Sequence, residues 1–239
     1  MNTLTGALII RNLGSKSYKE IYSKMKGFTA NRSSVTPDEL WLLEHPPIYT
    51  LGQGAKESHV LDPQDIEVVR CNRGGEVTYH GPGQVIGYLM MDLNRKSMGI
   101  KQLVAGIETA IIAVLGEMDV VSYAEKKAHG VYVKDKKIAA LGFRVSRGCT
   151  YHGFSLNVHM ELEPFSRINP CGYKDLEVTD IFTEGGDTTL ERIHLLLSRE
   201  LKRVFHYLSL IHISEPTRRR GISYSVISLK KKRGGGGGG

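Results

Sequence analysis

The chain has 239 residues, 41% of them hydrophobic, which suits a single globular domain, and it contains no apolar run long enough to span a membrane. Three cysteines without paired spacing exclude a disulfide framework and predict a reducing compartment, the cytoplasm. The formal net charge of +7 suggests an acidic partner, but seven of the 32 Lys and Arg and only one of the 25 Asp and Glu lie from Leu208 onward, so the body of the chain is nearly neutral and nucleic acid is not an expected partner.

The opening MNTLTGALIIRNLG has neither the basic region and cleavage site of a secretory signal nor the Arg-rich pattern of a transit peptide; it reads as a first strand ended by a glycine. Tyr18, Ile21, Tyr22 and Met25 recur at helical spacing and predict a short amphipathic helix over 18–26. DELWLLEHPPIYTLG reads as an apolar strand broken by Pro46 and Pro47, and IEVVRCNRGG as a strand running into a glycine pair. VTYHGPGQVIGYLMMDL reads as loop, then strand. A helix is expected over 100–118, with Leu103, Val104, Ile107, Ile111, Val114, Leu115 and Met118 on its buried side. Two strands around a Lys-Asp-Lys turn follow in GVYVKDKKIAALGFRV, then a strand in TYHGFSLNVHM. A last helix is expected over 188–207, burying Leu190, Ile193, Leu197, Leu201 and Val204. Many strands with interspersed helices and no regular βαβ alternation predict an α+β fold: a mixed sheet with packed helices in a single domain over 1–207.

The remaining segment, 208–239, reads differently. LSLIHISEPTR is what a transposase adapter of short-read sequencing encodes, and KKKRGGGGGG is what a run of A followed by a run of G encodes. This tail is expected to be non-native and disordered and is set aside from the fold.

Four glycine-marked stretches carry the candidate chemistry. RGGEVTYHGPGQ at 73–84 places Tyr79 and His80 between glycine clusters that let backbone N–H groups approach a ligand. Its GPGQVIG is not a dinucleotide fingerprint, because the last glycine is one residue late and no helix follows. KIAALGFR at 137–144 starts with a lysine, but Lys134, Lys136 and Lys137 crowd one turn, and spacing alone favours a solvated turn residue over a base at Lys137. HGFSLNV at 152–158 contains His152, which by itself reads as a hydrogen-bonded structural histidine. RINPCGY at 167–173 holds Cys171 between proline and glycine, an exposed and fixed setting that suits a nucleophile, whereas Cys71 and Cys149 read as bystanders. No Cys/His spacing suits zinc.

RGG-x-x-TYHGPGQ, G-x-KIAA-x-G-x-R around 137–144, HG-x-x-LNV and INPCGY, in this order, resemble the octanoyltransferases of lipoate biosynthesis over nearly all of residues 4–207. The resemblance implies the biotin and lipoate protein ligase catalytic-domain fold. It makes Cys171 the acyl acceptor and Lys137 the residue that lowers its pKa or serves as its base. It places acyl-substrate contacts on Arg73, Gly74, Gly75, Glu76, Val77, Thr78, Tyr79 and His80, on Ala140, Leu141 and Gly142, and on Gly153, Phe154 and Ser155; alanine is common where Ser155 stands. It implies octanoyl-acyl carrier protein as donor, and as acceptors a lysine on lipoyl domains of 2-oxoacid dehydrogenases and the glycine cleavage H protein. ATP and a metal are not expected, the enzyme is expected to be a monomer, and glycine-loop N–H groups are expected as oxyanion donors. The rival readings are an ATP-dependent lipoate or biotin ligase of the same fold and a non-catalytic acyl-carrier binder. Because both substrates are typically acidic, Arg73, Arg144, Arg147 and Lys174 are expected to form a basic frame around the thiol.

Overall fold

The computed structural model describes residues 6–125, 128–170 and 176–214. Its main sheet has the order β11-β1-β2-β6-β10-β9-β8-β7, built from β1 (Ala7–Ser15), β2 (Asp38–Glu44), β6 (Gln84–Met90), β7 (Tyr123–Ala124), β8 (Val131–Val133), β9 (Lys136–Ser146), β10 (Cys149–Asn157) and β11 (Ser209–Ser214). β1 runs parallel to both β2 and β11, and the other neighbours pair antiparallel. The sheet is therefore mixed, as the sequence predicts. Three helices cover it: α1 (Tyr18–Ala30), α2 (Ile100–Gly116) and α3 (Leu190–Val204).

β2 shows why its sequence is apolar without alternation. Leu40 and Leu42 pack into the core shared with α2 and α3, while Trp41 and Leu43 pack into the core shared with α1. A strand covered on both faces has no solvent side to carry polar residues. α2 buries Leu103, Ile107, Ile111, Val114 and Leu115, and α3 buries Ile193, Leu196, Leu197 and Leu201. Thr189 caps α3, its hydroxyl accepting the N–H of Arg192 at 3.2 Å.

Three sequence expectations change. Residues 38–52 are not one interrupted strand: β2 ends at Glu44, the chain passes Pro46 and Pro47, and β3 (Ile48–Leu51) starts a second sheet of order β4-β3-β5 with β4 (Glu67–Arg70) and β5 (Val77–His80). The prolines, unable to donate to a ladder, mark where the chain leaves one sheet for the other. VTYH, expected as loop, is β5, and only residues 81–83 turn before β6. The tail expected to be disordered from 208 instead contributes β11 over Ser209–Ser214, pairing with the open edge of β1. An exposed edge accepts any segment of suitable alternation, and LIHIS has it. No side chain of residues 209–213 is buried, and residues 215–239 lie outside those described.

One buried carboxylate ties the sheet to its surroundings. Asp38, fully buried at the start of β2, accepts from Arg32 at 2.6 Å, from Arg95, from the Asp92 N–H at 2.9 Å and from the Tyr207 hydroxyl at 2.7 Å. It joins the end of α1, the exit of β6 and the chain after α3. Asp38→Ala would leave the Arg32 and Arg95 guanidiniums without their countercharge and is expected to cost about 3–5 kcal/mol in urea denaturation; a loss under about 1 kcal/mol would show that the cluster is not a tie.

Candidate active site

A trough lies on the α1-side face of the main sheet. In the β9–β10 pair, Ala140 faces Ser155 and Gly142 faces Gly153, while Phe154 and Leu156 turn to the opposite core. Four small residues thus leave space where side chains would stand. Gly153 cannot be otherwise: a Cβ there would come within 1.8 Å of the Gly87 carbonyl oxygen. The trough encloses roughly 530 Å³ of empty space, including its open mouth, and its lining is mainly apolar.

The wall is the segment leading into β5. Arg73, Gly75, Glu76, Val77, Thr78 and His80 line the trough, together with Ala140, Leu141, Gly142, Gly153, Phe154 and Ser155. Gly74 and Tyr79 do not. Gly74 donates its N–H to the Phe143 carbonyl at 2.9 Å, fastening the wall to β9, so that N–H is not available as an oxyanion donor. The Tyr79 ring turns into the small-sheet core against Tyr49 and Phe165. Gly75 permits the bend with φ +84°.

Hydrogen bonds hold this wall in place and join two of the sequence motifs. Asn157 Oδ1 accepts from Gln84 Nε2 at 2.9 Å, and Gln84 Oε1 accepts from His80 Nδ1 at 2.8 Å. The Thr50 hydroxyl lies 3.3 Å from His80 Nε2 and accepts from Arg73 Nη2 at 2.9 Å. Arg73 also donates to the Thr50 carbonyl at 2.6 Å and to its neighbour Gly74 at 3.0 Å. Its guanidinium therefore serves the wall rather than a surface patch.

Tyr18, Ile86, Tyr88 and His152 complete the lining, and sequence reasoning did not assign them to the site. Tyr18 looks like an ordinary core position of an amphipathic helix, and nothing local shows that its helix caps a cavity. His152 has φ +64°, left-handed backbone that histidine adopts more readily than most residues, and such positions gather at functional sites. Burial depresses the pKa of His80 to about 3, with His45 as the next cause, and that of His152 to about 3, with Arg73 as the next cause. Burial likewise lowers His45 to about 4 and raises the Tyr18 and Tyr88 hydroxyls well above the usual phenol range. All of these groups are neutral at pH 7.

Lys137 lies at the opposite end. The turn of the β8–β9 hairpin is Lys134 and Asp135, both at positive φ. Lys134 pairs with Glu184 at 3.0 Å and Lys136 with Glu177 at 2.8 Å at the surface, whereas Lys137 is only 4% exposed. Its Nζ donates to the His129 carbonyl at 3.1 Å and sits over the Tyr132 ring. Lys137 lines a second, smaller cavity with Pro170, and this cavity shares Thr78, Ala140 and Ser155 with the trough. Cys171 and Lys174 lie outside the described residues, but Pro170 is the residue that leads into Cys171. The chain before it is anchored by the Asn169 N–H on the His59 carbonyl at 2.8 Å and by Ile168 in the small-sheet core.

The other two cysteines sit elsewhere. Cys71 is buried and its thiol donates to the Leu51 carbonyl at 3.3 Å; burial raises the Cys149 thiol. Two of the arginines expected to frame the thiol have other partners. Arg147 hydrogen-bonds the Thr29 and Ala30 carbonyls at the end of α1, where a cation complements the helix terminus. Arg144 donates to Gln53 at 2.8 Å and is exposed. Among the described residues, no group of three His, Cys, Asp or Glu is placed to hold a metal.

The depressed histidines predict an acid limit. An unfolded histidine takes up a proton near pH 6.5, while His45, His80 and His152 stay neutral in the fold until about pH 4 or 3. Stability is fully present above about pH 6.5 and is lost as pH falls toward 4, at up to about 4 kcal/mol per pH unit for three protons. Urea midpoints at pH 7, 6 and 5 are expected to fall with this sign; a midpoint that stayed flat would contradict the buried neutral assignment.

The same segments match known proteins. The family described as Lipoyl protein ligase A/B catalytic domain matches residues 19–202. An octanoyltransferase of Colwellia psychrerythraea is 52% identical over 178 residues, 74% of this chain and 76% of its own length. One from Shewanella amazonensis is 45% identical over 205 residues, 86% of this chain and 95% of its own length. The bipartite lipoate protein ligase of Thermoplasma acidophilum shares the fold at 15% identity, with a TM-score of 0.68 over 86% of this chain and 85% of the other. From its motifs, its fold and these relatives, the chain belongs to the octanoyltransferases of the lipoyl protein ligase A/B catalytic domain family.

Proposed function

We propose that Cys171 carries an octanoyl group from a carrier-protein thioester to a lysine amine, with Lys137 managing the charge and proton of the thiol. The supporting observation is the buried Lys137 in a cavity lined by Pro170 that shares Thr78, Ala140 and Ser155 with the apolar trough. The trough would hold the alkyl chain while its carbonyl lies at the Lys137 end.

The reaction is two acyl transfers. The Cys171 thiolate attacks the donor thioester; a new C–S bond forms, the donor's C–S bond breaks, and the carrier thiolate leaves and takes a proton. The acceptor amine then attacks the Cys171 thioester; the C–N bond forms, the enzyme's C–S bond breaks, and the proton lost by the amine returns to sulfur by way of Lys137. A free thiol has a pKa of about 8.5, so at neutral pH a neighbouring cation or base raises the fraction that can attack. The thioester supplies the driving force, so neither ATP nor a metal is needed.

The donor is octanoyl-acyl carrier protein, and the acceptors are lipoyl domains of 2-oxoacid dehydrogenases and the glycine cleavage H protein, encountered in the cytoplasm. No described helix is long and apolar enough to cross a membrane. The tail from 208 is read as non-native despite the strand it adds.

Intact mass after incubation with octanoyl-acyl carrier protein is expected to show one octanoyl adduct without ATP. Cys171→Ala should abolish both adduct and transfer, and Cys171→Ser should be nearly as poor. Lys137→Ala should lower the rate about 10²- to 10⁴-fold, and Lys137→Arg should retain part of it only if positive charge alone is required. An adduct that persists in Cys171→Ala, or activity that depends on ATP, would overturn the reading. Truncation after Tyr207 removes no described buried side chain and is expected to leave transfer unchanged; a tenfold loss with the fold intact would make the tail part of the enzyme.

A further inference from the structure

The far end of the trough is not apolar. His152 is 1% exposed and lines the trough, and its two ring nitrogens are treated unequally. Nε2 lies 2.9 Å from Asn72 Oδ1, and Asn72 donates its own Nδ2 to the Tyr151 hydroxyl at 2.6 Å. The oxygen of Asn72 therefore faces the imidazole, Nε2 carries the proton, and Nδ1 is a bare lone pair. That Nδ1 is buried with no hydrogen-bond partner among the described residues. His152 lines the trough, and the Tyr22 ring stacks on it at 5.4 Å. A buried, unpaired acceptor beside an apolar trough calls for a polar occupant.

The distance from the reactive end gives this corner its meaning. Ser155, shared with the Lys137 cavity, and His152 are three residues apart on β10, about 10 Å at ~3.3 Å per residue. An extended octanoyl chain advances about 1.3 Å per C–C bond, so its seven bonds reach about 9 Å. Resting on the proposed acyl transfer, we infer that His152 is a specificity-determining residue: its Nδ1 forms a polar floor that ends the acyl trough at about eight carbons. An octanoyl chain leaves the floor its water. A longer alkyl chain displaces that water and leaves the lone pair unpaired, while a chain of the same length ending in a hydroxyl donates to Nδ1 and is accepted.

Nonanoyl and 8-hydroxyoctanoyl groups are nearly the same size and differ in this one respect. The test measures kcat/KM for both on acyl carrier protein, beside octanoyl, and measures calorimetric binding of the three free acids to the full chain. The wild type is expected to favour 8-hydroxyoctanoyl over nonanoyl by about 5- to 150-fold, the effect of leaving one buried acceptor unpaired. His152→Phe keeps an aromatic ring for the stack and removes the lone pair, so it should reverse the preference. His152→Asn keeps a polar group at a left-handed position and should retain it in part. A wild type that prefers nonanoyl, or an unchanged ratio in His152→Phe, overturns the inference. Should His152→Phe fail to fold, the wild-type ratio decides alone. Absence of octanoyl transfer by the wild type would count against the proposed function, whereas the acid-binding preference reads the floor independently.

Discussion

The close approach of three backbones at β6, β10 and β9 governs the rest of the site. Gly153 lies so near the Gly87 carbonyl that no side chain fits, and a Cβ on Gly142 would meet the Gly74 carbonyl oxygen at 2.8 Å. Close approach and the absence of side chains are one fact: strands that pack backbone to backbone leave the space above them empty. Ala140 and Ser155 extend that space toward Lys137. A trough made this way is rigid, because its floor is sheet ladder rather than side chains that could repack.

Rigidity also requires that the polar wall be satisfied. The wall between Arg73 and His80 carries a guanidinium and an imidazole beside an apolar trough, and each is bonded within a network reaching from Asn157 to Thr50. A neutral His80 buried among these partners keeps charge away from an alkyl chain, which would otherwise be unable to replace the lost water. Against that background the buried, unpaired His152 Nδ1 stands apart, at the end where the chain would stop.

Much of this was legible in the sequence. The helices follow from their apolar spacing, and three of the four motifs name most of the trough because each places a glycine or small residue where backbone must approach backbone. What remained hidden depends on tertiary placement. Lys134, Lys136 and Lys137 look alike in sequence; only the two-residue turn at Lys134 and Asp135 decides that the third is buried. Tyr79 and His80 are adjacent in a motif, yet strand alternation sends one to the small-sheet core and the other to the trough. The pairing of residues 209–214 with β1 is not legible in the sequence, because composition says nothing about whether a sheet edge is vacant beside them.

The placement of Lys137 bears on how transfer would proceed. Beside a thiol, a buried lysine would favour the thiolate, the form that attacks a thioester. The main-chain bonds of Lys137, from its N–H to the Glu177 carbonyl at 2.8 Å and from the Thr179 N–H to its own carbonyl at 3.0 Å, fix the strand to the segment that follows Cys171 in the chain. The same segment that would carry the nucleophile is therefore tied to the residue that would activate it. Their separation would be set by backbone hydrogen bonds on one side and the Asn169 anchor on the other.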